Sequence, residues 1–250
     1  MDKIQLRQEN QYEFPYHYIP NQFNSTFSQT KHWSWGYRYL GGIQLILDQL
    51  KHIPGTSIID IGCGDGRFVR DVSRIFPKLK CKGVDYSQKA INLAKALNPL
   101  LDYEYIDITS HGCDPKYEIA TAIEVLEHIE PSNLSGFIES IANCLIPGGV
   151  FLLTVPHKNK SVNIKHYQHF DSEGLIKELD PYFEVTKIIP FDSNSRLLPY
   201  FQKLLGGSGK HFIVNNKFIL NWFYNYYLDH QLYIHDENKC LRIAAICKRR

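Results

Sequence analysis

The spacing of apolar positions changes along the chain, and the changes mark out its elements. Between residues 37 and 50, Leu40, Ile43, Leu47 and Leu50 recur at intervals of three and four, which predicts a helix with one buried face. Pro54 and Gly55 then turn the chain away. From there short β-type apolar runs alternate with helical stretches. They predict strands over 57–61, 81–85, 102–106, 119–123 and 149–155, and helices over 67–76, 88–97 and 132–145, with Pro77, Pro99 and Pro147-Gly148-Gly149 as stops. Runs over 183–189 and 241–248 predict two further strands. Apolar strands alternating with helices imply an α/β fold: a seven-stranded, mostly parallel sheet with helices on both faces.

Two stretches fall outside this alternation. Residues 1–35 are rich in Asn, Gln, Tyr and Phe without a clean period, and the aromatic knots at 14–18 and 32–35 predict an N-terminal cap that packs. Between the last two strands, residues 191–239 form an insertion carrying Gly206-Gly207-Ser208-Gly209 and a very aromatic helix over 218–228. That helix suits ordinary packing, a lid over an apolar or sugar-like acceptor, or a dimer or membrane-surface contact. The expected organisation is one domain: cap and helix over 1–52, core over 53–190, insertion over 191–239 and last strand over 240–250.

Charge narrows the partners. With 28 basic against 26 acidic side chains and a net +2, the chain has no strong footprint for nucleic acid or anionic lipid. No run approaches the ~20 apolar residues of a membrane span, and the N-terminus has no signal-peptide core, so the expected location is the cytoplasm. Six cysteines without a Cys-x-x-Cys pair read as buried thiols in a reducing compartment.

The chemistry begins where the first strand ends. Ile58 to Arg67 reads Ile-Ile-Asp-Ile-Gly-Cys-Gly-Asp-Gly-Arg, with glycines at alternate positions 62, 64 and 66 and Asp60 two residues before the first. The glycines remove every Cβ where the backbone turns, so a ligand can lie against bare main chain. A dinucleotide fingerprint requires glycine at position 67, which is Arg67, and no P-loop Gly-Lys-Ser or Gly-Lys-Thr follows. Later strands end in Asp85-Tyr86-Ser87, in Asp107-Ile108 and in Ile123-Glu124. Taken alone, Asp85 and Asp107 also suit helix or turn caps, and Cys63 suits a small filler.

The set in this order, over about 55–156, resembles the successive motifs of class I S-adenosylmethionine-dependent methyltransferases. The resemblance implies a Rossmann-like fold with S-adenosylmethionine as cofactor. Asp60, Gly62, Cys63, Gly64 and Gly66 would frame the methionyl part, Asp85 with Tyr86 the ribose, Asp107 with Ile108 the adenine, and the backbone at Ile123 and Glu124 the amino group.

The acceptor side is richer in histidine. Glu124-x-x-Glu127-His128 follows the fourth strand, while His157 and Lys165-His166-Tyr167-Gln168-His169-Phe170 follow the fifth, on the rim that carries the glycine loop. A hydroxyl acceptor must lose a proton, a task suited to imidazole, so His128, Glu127, His166 and His169 are the candidate catalytic residues. Glu-x-x-Glu-His resembles both ubiquinone-pathway O-methyltransferases and small-RNA 3′-end methyltransferases. The first resemblance implies a small-molecule or glycan hydroxyl and no metal. The second implies a divalent ion on Glu124, Glu127, His128 and His169, and the near-neutral charge speaks against it. N-methylation, a non-catalytic partner subunit and a homodimer are further possibilities.

Overall fold

In the computed structural model, residues 3–9, 20–23, 26–29, 36–195, 197–205 and 216–250 are described; the aromatic knots at 14–18 and 32–35 and the glycine run at 206–209 lie outside them. A short helix, Lys3–Glu9, and a two-stranded ribbon, Pro20–Phe23 with Thr26–Gln29, precede the main body. The body holds seven strands: β1 Ser57–Ile61, β2 Lys80–Asp85, β3 Asp102–Tyr105, β4 Tyr117–Ile123, β5 Leu145–Pro156, β6 Phe183–Ser193 and β7 Cys240–Arg249. Its labelled helices are α1 Gly36–Leu50, α2 Arg67–Ile75, α3 Gln88–Leu97, α4 Pro131–Cys144, α5 Ser172–Leu179, α6 Leu197–Leu204 and α7 Lys217–Tyr227.

The strands form one sheet in the order β3-β2-β1-β4-β5-β7-β6, parallel except for β7, which runs antiparallel to both β5 and β6. Alternate residues of the central strands feed two separate cores. On β5, Phe151 and Leu153 pack with α4 and α5 residues, while Leu152 packs on the α1 side. Both sets are apolar because both faces are covered, which is why these strands read as unbroken apolar runs.

Several boundaries move from expectation. β5 starts at Leu145, four residues early, because Leu145 pairs with Tyr117 before the register shifts and resumes at Val150 opposite Ile119. Pro147-Gly148-Gly149 is therefore an irregularity inside the strand, with Gly148 left-handed at φ 75, and does not precede it. β6 continues to Ser193 because β7 pairs with it along its length, so the insertion begins later than residue 191.

The expectation of six free thiols also fails. Cys113 and Cys144 form a disulfide, with Cα atoms 4.9 Å apart, between the segment before β4 and the end of α4. Partners 31 residues apart in sequence left no local spacing to reveal them. Cys63, Cys81, Cys240 and Cys247 are free.

One face of the insertion's helix α7 belongs to the core, while Phe218 and Trp222 are exposed. Phe223, Tyr224 and Tyr227 of α7 are fully buried, and the Tyr37 ring of α1 meets Phe223 and Tyr227 edge-on at 5.0 and 4.9 Å. A Cβ at Gly41 would lie 2.5 Å from the Tyr227 ring, so α1 needs glycine there to accept it. Tyr227 also donates to Asp192 at 3.1 Å, and the other Asp192 oxygen takes Arg242 at 3.2 Å and Arg38 at 3.1 Å. Two guanidinium groups thus share one buried carboxylate.

Breaking such a buried pair costs about 3–5 kcal/mol because a charge is left without a partner. Asp192 has left-handed backbone at φ 63, a conformation asparagine tolerates, so Asp192→Asn removes the charge and leaves the turn intact. Urea unfolding of that variant is expected to show a stability loss of about 3 kcal/mol or more; a loss below about 1 kcal/mol would show that the network is dispensable.

Candidate active site

The strand order reverses between β1 and β4, and a cleft of about 1640 Å³ opens beyond their carboxyl ends. Its floor is the turn from β1 into α2. Gly62, Gly64 and Gly66 have φ of 73, 56 and 77, the left-handed region that only glycine enters freely. A Cβ on Gly62 would lie 2.7 Å from Val125, and one on Gly66 would run into the Tyr103 hydroxyl, which donates to the Gly66 carbonyl at 3.0 Å. Gly66 therefore supports the loop from behind and does not line the cleft.

The acids at the strand ends take up the loop. Asp85 accepts from the Gly64 amide at 3.0 Å and from the Ser87 amide at 2.8 Å, which ties β2 to the glycine turn. Burial pushes its pKa up to about 6, and those two amides oppose the rise. Ser87 separately caps α3 through the Ala90 amide at 3.1 Å, so capping does not consume Asp85. Asp60 is held by the Thr121 hydroxyl of β4 at 2.8 Å, and burial pushes it up to about 7. Asp107 caps the short helical turn Ile108–His111 through the Thr109 amide at 3.0 Å and also lines the cleft. Cys63 is a buried filler: burial, then the nearby carboxylates, raise its thiol well above the ordinary range, the opposite of an activated nucleophile.

β4 leaves the sheet through Glu124, whose backbone is left-handed at φ 57. Such a conformation costs a non-glycine residue roughly 1–2 kcal/mol. It brings the Glu124 carboxylate to 4.0 Å from Arg242, so Arg242 faces two carboxylates, each on a left-handed residue. The following 3₁₀ turn, Leu126–His128, carries Glu127 inward. Glu127 is 1% exposed with neither carboxylate oxygen hydrogen-bonded, and burial together with the Glu124 charge raises its pKa well above the ordinary range.

Backbone carbonyls fix the histidines. His128 Nδ1 donates to the Lys165 carbonyl at 2.9 Å, which leaves Nε2 with the lone pair in the neutral ring. His169 Nδ1 donates to the Lys160 carbonyl at 2.8 Å, so its Nε2 accepts from His166 Nδ1 at 2.8 Å, and His166 Nε2 is left free. Burial lowers all three, His128 to about 4 and His166 to about 3, so each ring is neutral at pH 7.

One ligating atom from each of Glu127, His128 and His166 lies within 4.8 Å of the others. His169 is not a base facing the cleft, because both its nitrogens are engaged behind His166. For the same reason it cannot join Glu124, Glu127 and His128 as a metal ligand without giving up His166. His157 is structural: its Nε2 meets Glu237 at 3.0 Å, and its Nδ1 accepts from the Asn159 amide.

Tyr86, Ile108 and Ile123 line the cleft as expected. Lys165, which opens the histidine block singled out in the sequence, also lines it, as do Arg38, Asp192, Arg242 and Lys160, which the sequence did not reveal. They come from α1, β6, β7 and the loop after β5, and no local motif links them. No residue of 194–239 is among the described lining residues; the insertion bears on the site through Tyr227, which holds Asp192, and through Glu237, which holds His157 and Asn159.

Comparison with known proteins agrees with this architecture. The family model "Methyltransferase domain" matches residues 33–202. Ubiquinone biosynthesis O-methyltransferase of Burkholderia thailandensis is 28% identical over 123 residues, 46% of this chain and 51% of that enzyme, so the chain spans about half the length of this relative. Two solved structures share the fold. One is the N-methyltransferase NodS of Bradyrhizobium japonicum with S-adenosylhomocysteine, at TM-score 0.62, 12% identity and 99% coverage of each chain. The other is magnesium protoporphyrin IX methyltransferase of Synechocystis with bound S-adenosylmethionine, at TM-score 0.60, 14% identity and coverage of 100% and 98%. Because the family model spans well over half of the chain, the protein belongs to the methyltransferase-domain family.

Proposed function

We propose that this protein methylates a hydroxyl oxygen of a small molecule, with His128 as the base. The observation that carries this reading is the His128 ring: Nδ1 is pinned to the Lys165 carbonyl at 2.9 Å, and Nε2 keeps its lone pair in the cleft that the glycine turn floors. The relative named for O-methylation in ubiquinone biosynthesis supports the choice of oxygen.

The residues present fit the cofactor. Gly62 and Gly64 line the cleft without side chains, Asp85 is a buried carboxylate suited to a pair of ribose hydroxyls, and Tyr86, Asp107 and Ile108 also line it. Arg38 offers a guanidinium for the methionyl carboxylate. Bound there, S-adenosylmethionine supplies a methyl group carried on a sulfonium. The protein's part is to hold the acceptor oxygen in line with that methyl and to remove its proton. His128 Nε2 takes the proton while Nδ1 keeps its own on the Lys165 carbonyl, so the imidazolium that forms is already oriented.

A second reading rests on Glu127, both of whose buried oxygens are orphaned beside two imidazoles with fixed tautomers. Glu127, His128 and His166 would hold a divalent ion, with His169 and the Lys165 carbonyl as the outer groups that orient the ligating rings. This set differs from the one implied by the small-RNA enzymes in leaving out Glu124 and in using His166 where they imply His169.

Three measurements follow. His128→Ala is expected to lower kcat by about 10²–10⁴ on a hydroxyl acceptor while leaving S-adenosylhomocysteine affinity unchanged; an unchanged kcat would remove the base. Calorimetry should find S-adenosylhomocysteine affinity flat above about pH 6 and falling below it, because protonating Asp85 destroys an acceptor of ribose hydroxyls. In Asp85→Asn the affinity should fall about tenfold or more and the pH dependence should vanish. Elemental analysis decides the second reading: one divalent ion per chain, lost in Glu127→Gln, supports it, whereas no ion in the parent protein leaves the histidine base alone.

A further inference from the structure

The loop after β5 carries Lys160 and Lys165, two cations that line the cleft. Among the described residues neither ammonium has a carboxylate within 4 Å, although the other charged groups nearby are matched: Arg38 and Arg242 with Asp192, and Lys158 with Asp171 at 2.6 Å. Lys165 is also half-buried. A desolvated cation without a counter-ion is costly unless a ligand supplies one.

These lysines are placed with respect to the histidines. The carbonyl of Lys165 fixes His128, and the carbonyl of Lys160 fixes His169 and through it His166. The Tyr167 amide donates to the Glu127 carbonyl at 2.9 Å, and Asn159 anchors the start of the loop to the Glu237 and Cys240 carbonyls at 2.8 and 3.0 Å. The Lys160 charge acts on Glu127, His166 and His169, and that of Lys165 acts on His128 and His166. Both lysines line the cleft that His128 and His166 line, where the acceptor hydroxyl of the proposed reaction would lie.

We infer that the acceptor is an anion, a hydroxylated carboxylate or phosphate ester whose charged group is held by Lys160 and Lys165 while its hydroxyl meets His128. This rests on the hydroxyl-methylation reading for the role of the hydroxyl, and on geometry alone for the anion site. A carboxylate or phosphate between two ammoniums forms charge-assisted bonds that a neutral acceptor of equal shape lacks. The lysines would then select among acceptors without taking part in proton transfer.

The test is a titration of the S-adenosylhomocysteine complex with benzoate, phenyl phosphate and benzamide, followed by calorimetry. At least one anion is expected to bind saturably and at least tenfold more tightly than benzamide, and the preferred anion tells carboxylate from phosphate. In Lys160→Ala/Lys165→Ala that preference should be lost, while S-adenosylhomocysteine affinity stays within twofold. Lys158→Ala, whose lysine lies outside the cleft, should leave the preference intact. Equal binding of benzamide, or no binding of either anion, would overturn the inference. So would a loss of S-adenosylhomocysteine affinity in the double variant, which would assign the lysines to the cofactor. Failure of every hydroxyl acceptor in turnover would instead count against the methylation reading and leave the anion result standing.

Discussion

The left-handed backbone at Gly62, Gly64 and Gly66 is the constraint on which the site depends. A chain leaving a central parallel strand must reverse sharply to start the covering helix, and three such residues within five complete that reversal without side chains in the way. Because Gly64 turns its amide toward β2, the Asp85 carboxylate can tie the loop to the neighbouring strand. The amides of Gly62 and Cys63 both reach the Val84 carbonyl, at 2.8 and 3.0 Å. The result is a rigid floor of bare backbone with buried acids at its edge, built before any ligand arrives.

The opposite wall follows a different principle. Its polar groups are buried, but their partners are backbone carbonyls of one loop, so the imidazoles are oriented while remaining uncharged. Burial disfavours the charged form of His128, His166, His169 and Glu127, and Lys160 and Lys165 line the cleft beside them. One wall thus holds carboxylates, and the other holds neutral bases flanked by cations. That polarity suits a cationic methyl donor on one side and an electron-rich acceptor on the other.

The insertion connects to this wall indirectly. Tyr227 reaches Asp192, Asp192 holds Arg38 and Arg242, and Arg242 faces Glu124 at the end of β4. Two of these acids sit on left-handed backbone, and the ion pairs help to hold them there. An aromatic helix that suits a lid by composition thus acts as packing behind the site, because α1 offers a cavity at Gly41 that fits its tyrosine.

The strand and helix periods, the glycine spacing and the acids ending β1 to β3 were legible in the sequence because each is set by local geometry: a strand of period two, a helix of 3.6, a turn that only glycine enters. The Ser87 cap and Glu127-His128 just past β4 belong to the same class. Four features were not legible: the bond between Cys113 and Cys144, the place of His166 rather than His169 on the cleft, the pairing of Asp192 with two arginines, and the placing of Lys160 and Lys165 beside the imidazoles. Each depends on which distant segments the sheet order brings together, and on which hydrogen bonds remain to a ring once its neighbours are placed. The sequence by itself determined the sheet and the glycine floor of the cleft. Only the tertiary structure decided which imidazole nitrogens face it, because a tautomer is set by partners the linear order does not contain.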